Sequence, residues 1–239
     1  MSDVYTSAPT PTHRLIPSRF PPIGLFDTVA TAADLEPVME LAGWTNDRLV
    51  AERLHRLPQE EWVYGRPNAS IVMAAFLHVA PDGMRFNNAD LGAWYAAAAL
   101  PTAVAEVAHH LRREAVARGI AGVRRAYRQY LSVLEGSYLD IRGQQATRAD
   151  VYDPLSYAVS QAFGEAVRAS DRAGLLYDSL RYAGGVNVVA YRSHNIISVT
   201  QADHFEISVQ VAVSRIEIRC TRRRQNPSRK RPGSPAEPV

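Results

Sequence analysis

A single cysteine, Cys220, stands in a chain of 239 residues. One thiol cannot close an internal disulfide, and without a Cys-x-x-Cys pair the chain carries neither a disulfide framework nor a zinc ribbon. Long apolar runs are also missing. None approaches the roughly 18 residues of a membrane-spanning helix, and the opening MSDVYTSAPTPTHRL has no apolar segment of signal-peptide type. No membrane association is expected, and the expected location is the cytoplasm. The sequence has no GxxxxGK[ST] loop, no GxGxxG, no HExxH and no GxSxG, which removes the usual signatures of several nucleotide-binding and hydrolytic folds. His109 and His110 are neighbours, so on a helix they point about 100° apart and do not share a metal easily. His110 and Glu114 do share a face, an arrangement typical of an ordinary solvated helix contact. No metal is expected.

What is present describes a globular chain. Hydrophobic residues make up 46%, enough to build a core. The formal charge of +3 is unevenly spread: residues 221–239 hold six Lys+Arg against one acid, a balance of +5, and the rest holds 21 basic and 23 acidic residues, a balance of −2. The body is therefore mildly acidic and gives no bulk support to a nucleic-acid surface. Residues 221–239 have no aromatic residue and several prolines, and are expected to be a disordered basic tail. An electrostatic arm for nucleic acid and a merely solvated extension are both compatible with that composition, the second being favoured.

The pattern of residues predicts a mixed order of elements. Residues 1–11 are expected to be a flexible arm, and HRLIPSRFPPIGLFD is expected to be extended because proline at that density forbids a helix. Short helices are expected over 33–43 and 46–56. The apolar run at 70–80 is expected to be a buried strand, and residues 93–97 another. Pro101 is expected to open a helix to about Arg118, ended by Gly119, with Val104, Ala108, Leu111 and Ala115 on its buried face. A strand is expected over 137–142. Asp153-Pro154 is expected to start a helix to about Ala169, with Leu155, Val159, Phe163 and Val167 buried. Strands are expected over 187–191 and 195–200. The segment FEISVQVAV alternates, with a bulge or turn near Ser214-Arg215 where the phase slips. Strands that cluster late in the chain favour a single α+β domain over a doubly wound parallel sheet.

One stretch carries a family pattern: GMRFNN, then GAWYAAA, then LPTAVAEVAHHLRR. It resembles the RES-domain family, whose pattern is an Arg-aromatic-Asn step, a short strand with a Tyr, and a helix with a Glu. HRLIPSRFPPIGLFD, VYGRPNASIVMAAFLH and YDSLRYAGGVNVVAYR are similar to other parts of that family in the same order. The domain is accordingly expected to span residues 12–220. The resemblance implies an ADP-ribosyltransferase-like core and an activity that consumes NAD. It also implies a toxin paired with an antitoxin of Xre-like, helix-turn-helix character that caps the site, so that nucleic acid is reached only through that antitoxin. The family's first Arg falls on Arg14, with Arg19 as a second candidate; its next Arg falls on Arg85, its Tyr on Tyr95, its Glu on Glu106 and its Ser on Ser179.

Those residue types suit the implied chemistry. Breaking the bond between nicotinamide and ribose passes through an oxocarbenium-like sugar, and a carboxylate such as Glu106 stabilises that charge. Guanidinium groups of Arg14, Arg19 and Arg85 suit a pyrophosphate. Tyr95 can stack on nicotinamide, and Ser179 can hydrogen-bond its amide or a ribose hydroxyl. The expected reaction moves ADP-ribose to phosphate or water. Transfer of ADP-ribose to a protein stays open, as does a non-enzymatic interaction protein working through its basic tail.

Overall fold

The computed structural model describes residues 4–20, 24–31, 33, 34, 37 and 56–222. In chain order these form β1 (Val4–Thr6), β2 (Thr12–Pro17), α1 (Ala69–Leu77), β3 (Trp94–Ala97), α2 (Leu100–Ala117), β4 (Gly122–Leu134) and β5 (Tyr138–Asp140). They continue with α3 (Ala158–Arg168), β6 (Gly174–Asp178), β7 (Val186–Ala190), β8 (Ile196–Gln210) and β9 (Ile216–Arg222). All nine strands join one sheet in the order β1-β5-β6-β7-β3-β2-β4-β8-β9. Only β5 and β6 run parallel among these neighbours. The fold is α+β, as expected from the clustering of strands.

The sheet is covered on both faces. Leu176, Val188 and Ala190 pack with Met73, Phe76 and Leu77 of α1, while Leu175, Tyr177 and Val189, one residue out of phase, pack with Val167 and Phe163 of α3. That alternation is the period of two expected of strands buried on both sides. The third helix, α2, lays Val104, Ala108 and Leu111 over Tyr127, Phe205, Ile207 and Val209. The face anticipated for α2 is the buried one, and Gly119 past its end takes φ +63°, a left-handed conformation that suits glycine at a helix end.

Several expectations are corrected. The run at 70–80 is helix α1 rather than a strand. It is buried on nearly every side, so its apolar pattern has no alternation to report. Its N-terminus is held from far away: Asn68 N and Ser70 N donate to the Asp27 carboxylate at 3.0 and 2.8 Å. Helix α3 starts at Ala158, not at Pro154. Asp153 instead accepts from Leu155 N at 2.8 Å in a turn, and Leu155 is 93% exposed and Val159 46%, so neither joins the buried stripe. Val4–Thr6 pair with β5, so that part of the supposed flexible arm is an edge strand. The thirteen residues of β4 had no strand assigned to them. The phase slip near Ser214-Arg215 is the turn between β8 and β9, and Val211 and Val213 lie exposed beside it. The short helices expected at 33–43 and 46–56 fall almost entirely outside the described residues, as do residues 223–239 of the tail.

Candidate active site

Strands β2 and β3 share one residue pair, His13 with Ala97, whereas β2 stays paired with β4 along its whole length. The sheet is therefore open between Arg14 and the start of β3. A cavity of about 450 Å3 occupies this place, and its walls include Arg14, Arg85, Tyr95, Glu106, Tyr157 and Arg181.

Arg14 spans the opening. Its Nη1 donates to the Tyr95 carbonyl at 2.8 Å, and its guanidinium lies over the Trp94 ring, 4.6 Å from the centroid. Its Nε is buried without a partner. Burial pushes its pKa down to about 10, and no carboxylate figures among the groups that act on it. A guanidinium desolvated without an opposite charge costs several kcal/mol, and an anion entering the cavity would offset that cost. Arg19 is exposed, lies over Phe20 at 4.9 Å and does not line the cavity.

Arg85 reaches the same cavity from the segment between α1 and β3. It donates to the Asp153 carbonyl at 2.9 Å and lies over the Tyr157 ring at 4.6 Å. The segment has no regular structure, but α3 grips it. Gln161 Nε2 donates to the Met84 carbonyl at 3.0 Å, Glu165 accepts from Asn88 N at 3.0 Å, and Tyr191 Oη donates to the Phe86 carbonyl at 2.8 Å. The grip needs Gly164, since a Cβ there would sit 2.1 Å from the Phe86 carbonyl oxygen. Tyr95 completes it: its hydroxyl accepts from Phe86 N at 3.0 Å and donates to Asn87 Oδ1 at 2.8 Å. Burial raises the Tyr95 pKa, so the hydroxyl remains protonated. Tyr95 is also among the residues that line the cavity.

Glu106 comes from the second turn of α2. Its Oε1 accepts from Ser179 Oγ and from Asn187 Nδ2, both at 2.7 Å. Ser179 in turn accepts from the backbone N–H groups of Arg181 and Tyr182 at 3.0 and 3.1 Å, which fixes the direction of its hydroxyl. The Oε2 atom takes no hydrogen bond from the described residues. One oxygen is thus fixed, and the other is available to a ligand. Ser179 itself is 7% exposed and does not line the cavity, so its contact is with the carboxylate. Glu106 makes no hydrogen bond with His110 one helical turn on, but its charge opposes the fall that burial causes in the His110 pKa.

Positive charge gathers at this end of α2. Burial, followed by Arg181, His110, Arg113 and Arg112, pushes the His109 pKa down to about 4. Farther along α2, Arg125 forks onto Glu114 at 2.8 and 2.7 Å, so that arginine is already neutralised. Among the described residues no group of three or more His, Cys, Asp or Glu side chains is placed to hold a metal.

Five of the six residues expected at the site, Arg14, Arg85, Tyr95, Glu106 and Ser179, meet at or immediately behind the cavity wall, and Arg19 does not. Sequence reasoning missed Asn187, Tyr157 and Arg181. Asn187 had a faint signal: it is the lone polar residue of VNVVA in β7, and it is 3% exposed. A polar residue inside a buried strand needs a partner, but nothing local names Glu106.

Comparison with known proteins gives one family. The RES domain profile matches residues 53–210. No curated protein matches the chain. Among solved structures, a similar chain belongs to the crystal structure of the M. tuberculosis MbcT-MbcA toxin-antitoxin complex, with 15% identity, 88% of each chain covered and a TM-score of 0.46.

Proposed function

The chain belongs to the RES domain family, and on that premise we propose that its cavity binds NAD and cleaves the nicotinamide–ribose bond. The observation that carries this reading is the Glu106 carboxylate, held by Ser179 and Asn187 through one oxygen, in a cavity whose Arg14 has no carboxylate partner among the described residues. Arg14 and Arg85 bind the pyrophosphate. Tyr95 offers its ring to the nicotinamide and ties Arg85's segment to β3. Glu106 faces the ribose carbon as the bond to nicotinamide breaks and stabilises the positive charge that develops there. Nicotinamide leaves with the bonding electron pair, and phosphate or water adds at the same carbon. Ser179 works through Glu106 by orienting it, a more specific role than contact with NAD.

The same reading makes the protein the toxin of a toxin–antitoxin pair, with an ADP-ribosyltransferase-like core. Its partner is an Xre-like antitoxin that covers the cavity mouth and itself contacts nucleic acid. The cytoplasm, where NAD is abundant, is the corresponding location. The deciding experiment incubates the purified full-length chain with NAD and phosphate, without any macromolecule, and measures free nicotinamide. Release is expected from the native chain and not from Glu106→Gln. Release only after a protein acceptor is added would favour ADP-ribosylation of proteins. The absence of any NAD turnover or binding would leave the non-enzymatic interaction protein.

A further inference from the structure

The two edges of the sheet differ. One is β1, with three residues; the other is β9, with seven, and among the described residues no strand pairs with its outer side. An open edge of that length is a template for another strand. Opposite residues place Ile216, Ile218 and Cys220 on the face of Val209, Ile207 and Phe205, and Glu217 and Arg219 on the face of Ser208 and Glu206. Ile216 packs into the cluster under α2, but Ile218 lies 46% exposed and Cys220 is exposed. The apolar face of β9 thus runs on past its cover.

We propose that β9 pairs antiparallel with β9 of a second copy, joining the two sheets about a two-fold axis through Ile218. The pleat requires facing residues to point to the same side, so the axis must pass through a residue and not between two. Through Glu217 it would face that carboxylate with its own copy. Through Arg219 it would face two guanidinium groups. Through Ile216 almost none of β9 would overlap, and through Cys220 Arg219 would meet Thr221 and no carboxylate. Through Ile218 the matches are Ile218 with Ile218, Ile216 with Cys220, and Glu217 with Arg219 twice. That register alone satisfies charge and apolarity together, and it makes the surface isologous.

Sedimentation of the full-length chain over a concentration series tests this. A dimer is expected, and Glu217→Arg or Arg219→Glu alone is expected to raise its dissociation constant at least about tenfold through facing like charges. An equal mixture of the two single variants is expected to dimerise again, because each then supplies the charge that the other lacks. A disulfide gives a second readout without altered charge. Ile216→Cys faces Cys220 of the second copy at bridging distance, whereas within one strand the two positions lie about 13 Å apart and cannot bridge. A covalent dimer under mild oxidation is expected. The proposal is overturned by a chain that stays monomeric throughout, by a dimer that ignores both charge changes and the disulfide, or by dimers that form only once residues 223–239 are removed. The last outcome would mean that the chain covers its own edge.

Discussion

Two arginines line the same cavity and have opposite electrostatic fates. Arg125 is forked onto Glu114 by two short hydrogen bonds, which raise its pKa. Arg14 has a carbonyl, an aromatic ring and, among the described residues, no carboxylate, and its pKa falls to about 10. Glu114 lies eight residues beyond Glu106, about 12 Å farther along α2. The first arginine already has its counter-charge in the fold, and the second has none among the described residues. A ligand anion belongs where the counter-charge is missing, so under the proposed function the contrast would give the cavity a direction: phosphates toward Arg14 and Arg85, with Glu106 at the sugar.

The largest expected effect tests the group between those ends. Glu106→Gln keeps shape and polarity and removes the charge, so nicotinamide release should fall by at least ~10²-fold with NAD affinity little changed. Turnover near that of the native chain would separate Glu106 from the chemistry.

Arg14→Ala should come next, weakening NAD binding in calorimetric titration by about ten- to a hundredfold, the scale of a lost charge-assisted hydrogen bond. The same change should make the free protein no less stable, because a half-buried cation without a carboxylate partner among the described residues is removed. Arg85→Ala should act in the same direction, with Arg85→Lys only partly restoring affinity for want of the fork. Unchanged affinity in both Arg85 variants would place that residue outside the binding site.

Arg125→Gln should do the reverse of Arg14→Ala. NAD affinity should stay near native, while thermal stability drops by up to about 1 kcal/mol, as for a partly exposed ion pair. A large loss of affinity would erase the proposed direction of the cavity.

The smallest effect is a pH dependence. His109 is held neutral, its pKa lowered to about 4 from the usual 6.5. Between those values the unfolded chain binds a proton that the folded chain refuses, so stability should decline as pH falls through that window. His109→Gln should flatten that part of a melting-temperature profile measured against pH, and an unchanged slope would mean that another group controls it.

Legibility in the sequence followed the range of the interactions. Helix α2 was readable because Pro101, Gly119 and the stripe from Val104 to Ala115 are all local signals, whereas Glu106 was singled out on it only by the family resemblance. Helix α1 was not, since its decisive cap comes from Asp27, over forty residues away. Position alone left Arg14 and Arg19 equivalent; what separates them is that β2 ends at Pro17, which keeps Arg14 in the opened sheet and leaves Arg19 in the turn beyond. Ser179 was singled out as a candidate through resemblance, but its hydrogen bond to a carboxylate 73 residues away was not readable.

Gly164 carries a consequence for how the chain can vary. Its missing side chain allows α3 to touch the Phe86 carbonyl, and Phe86 is the next residue after Arg85. A single methyl group added there would lever the helix away from the segment it steadies. The guanidinium at 85 would then lose its aim without any change to the residues around it, so the sharpness of the proposed anion recognition would be set partly by an atom that the chain does without.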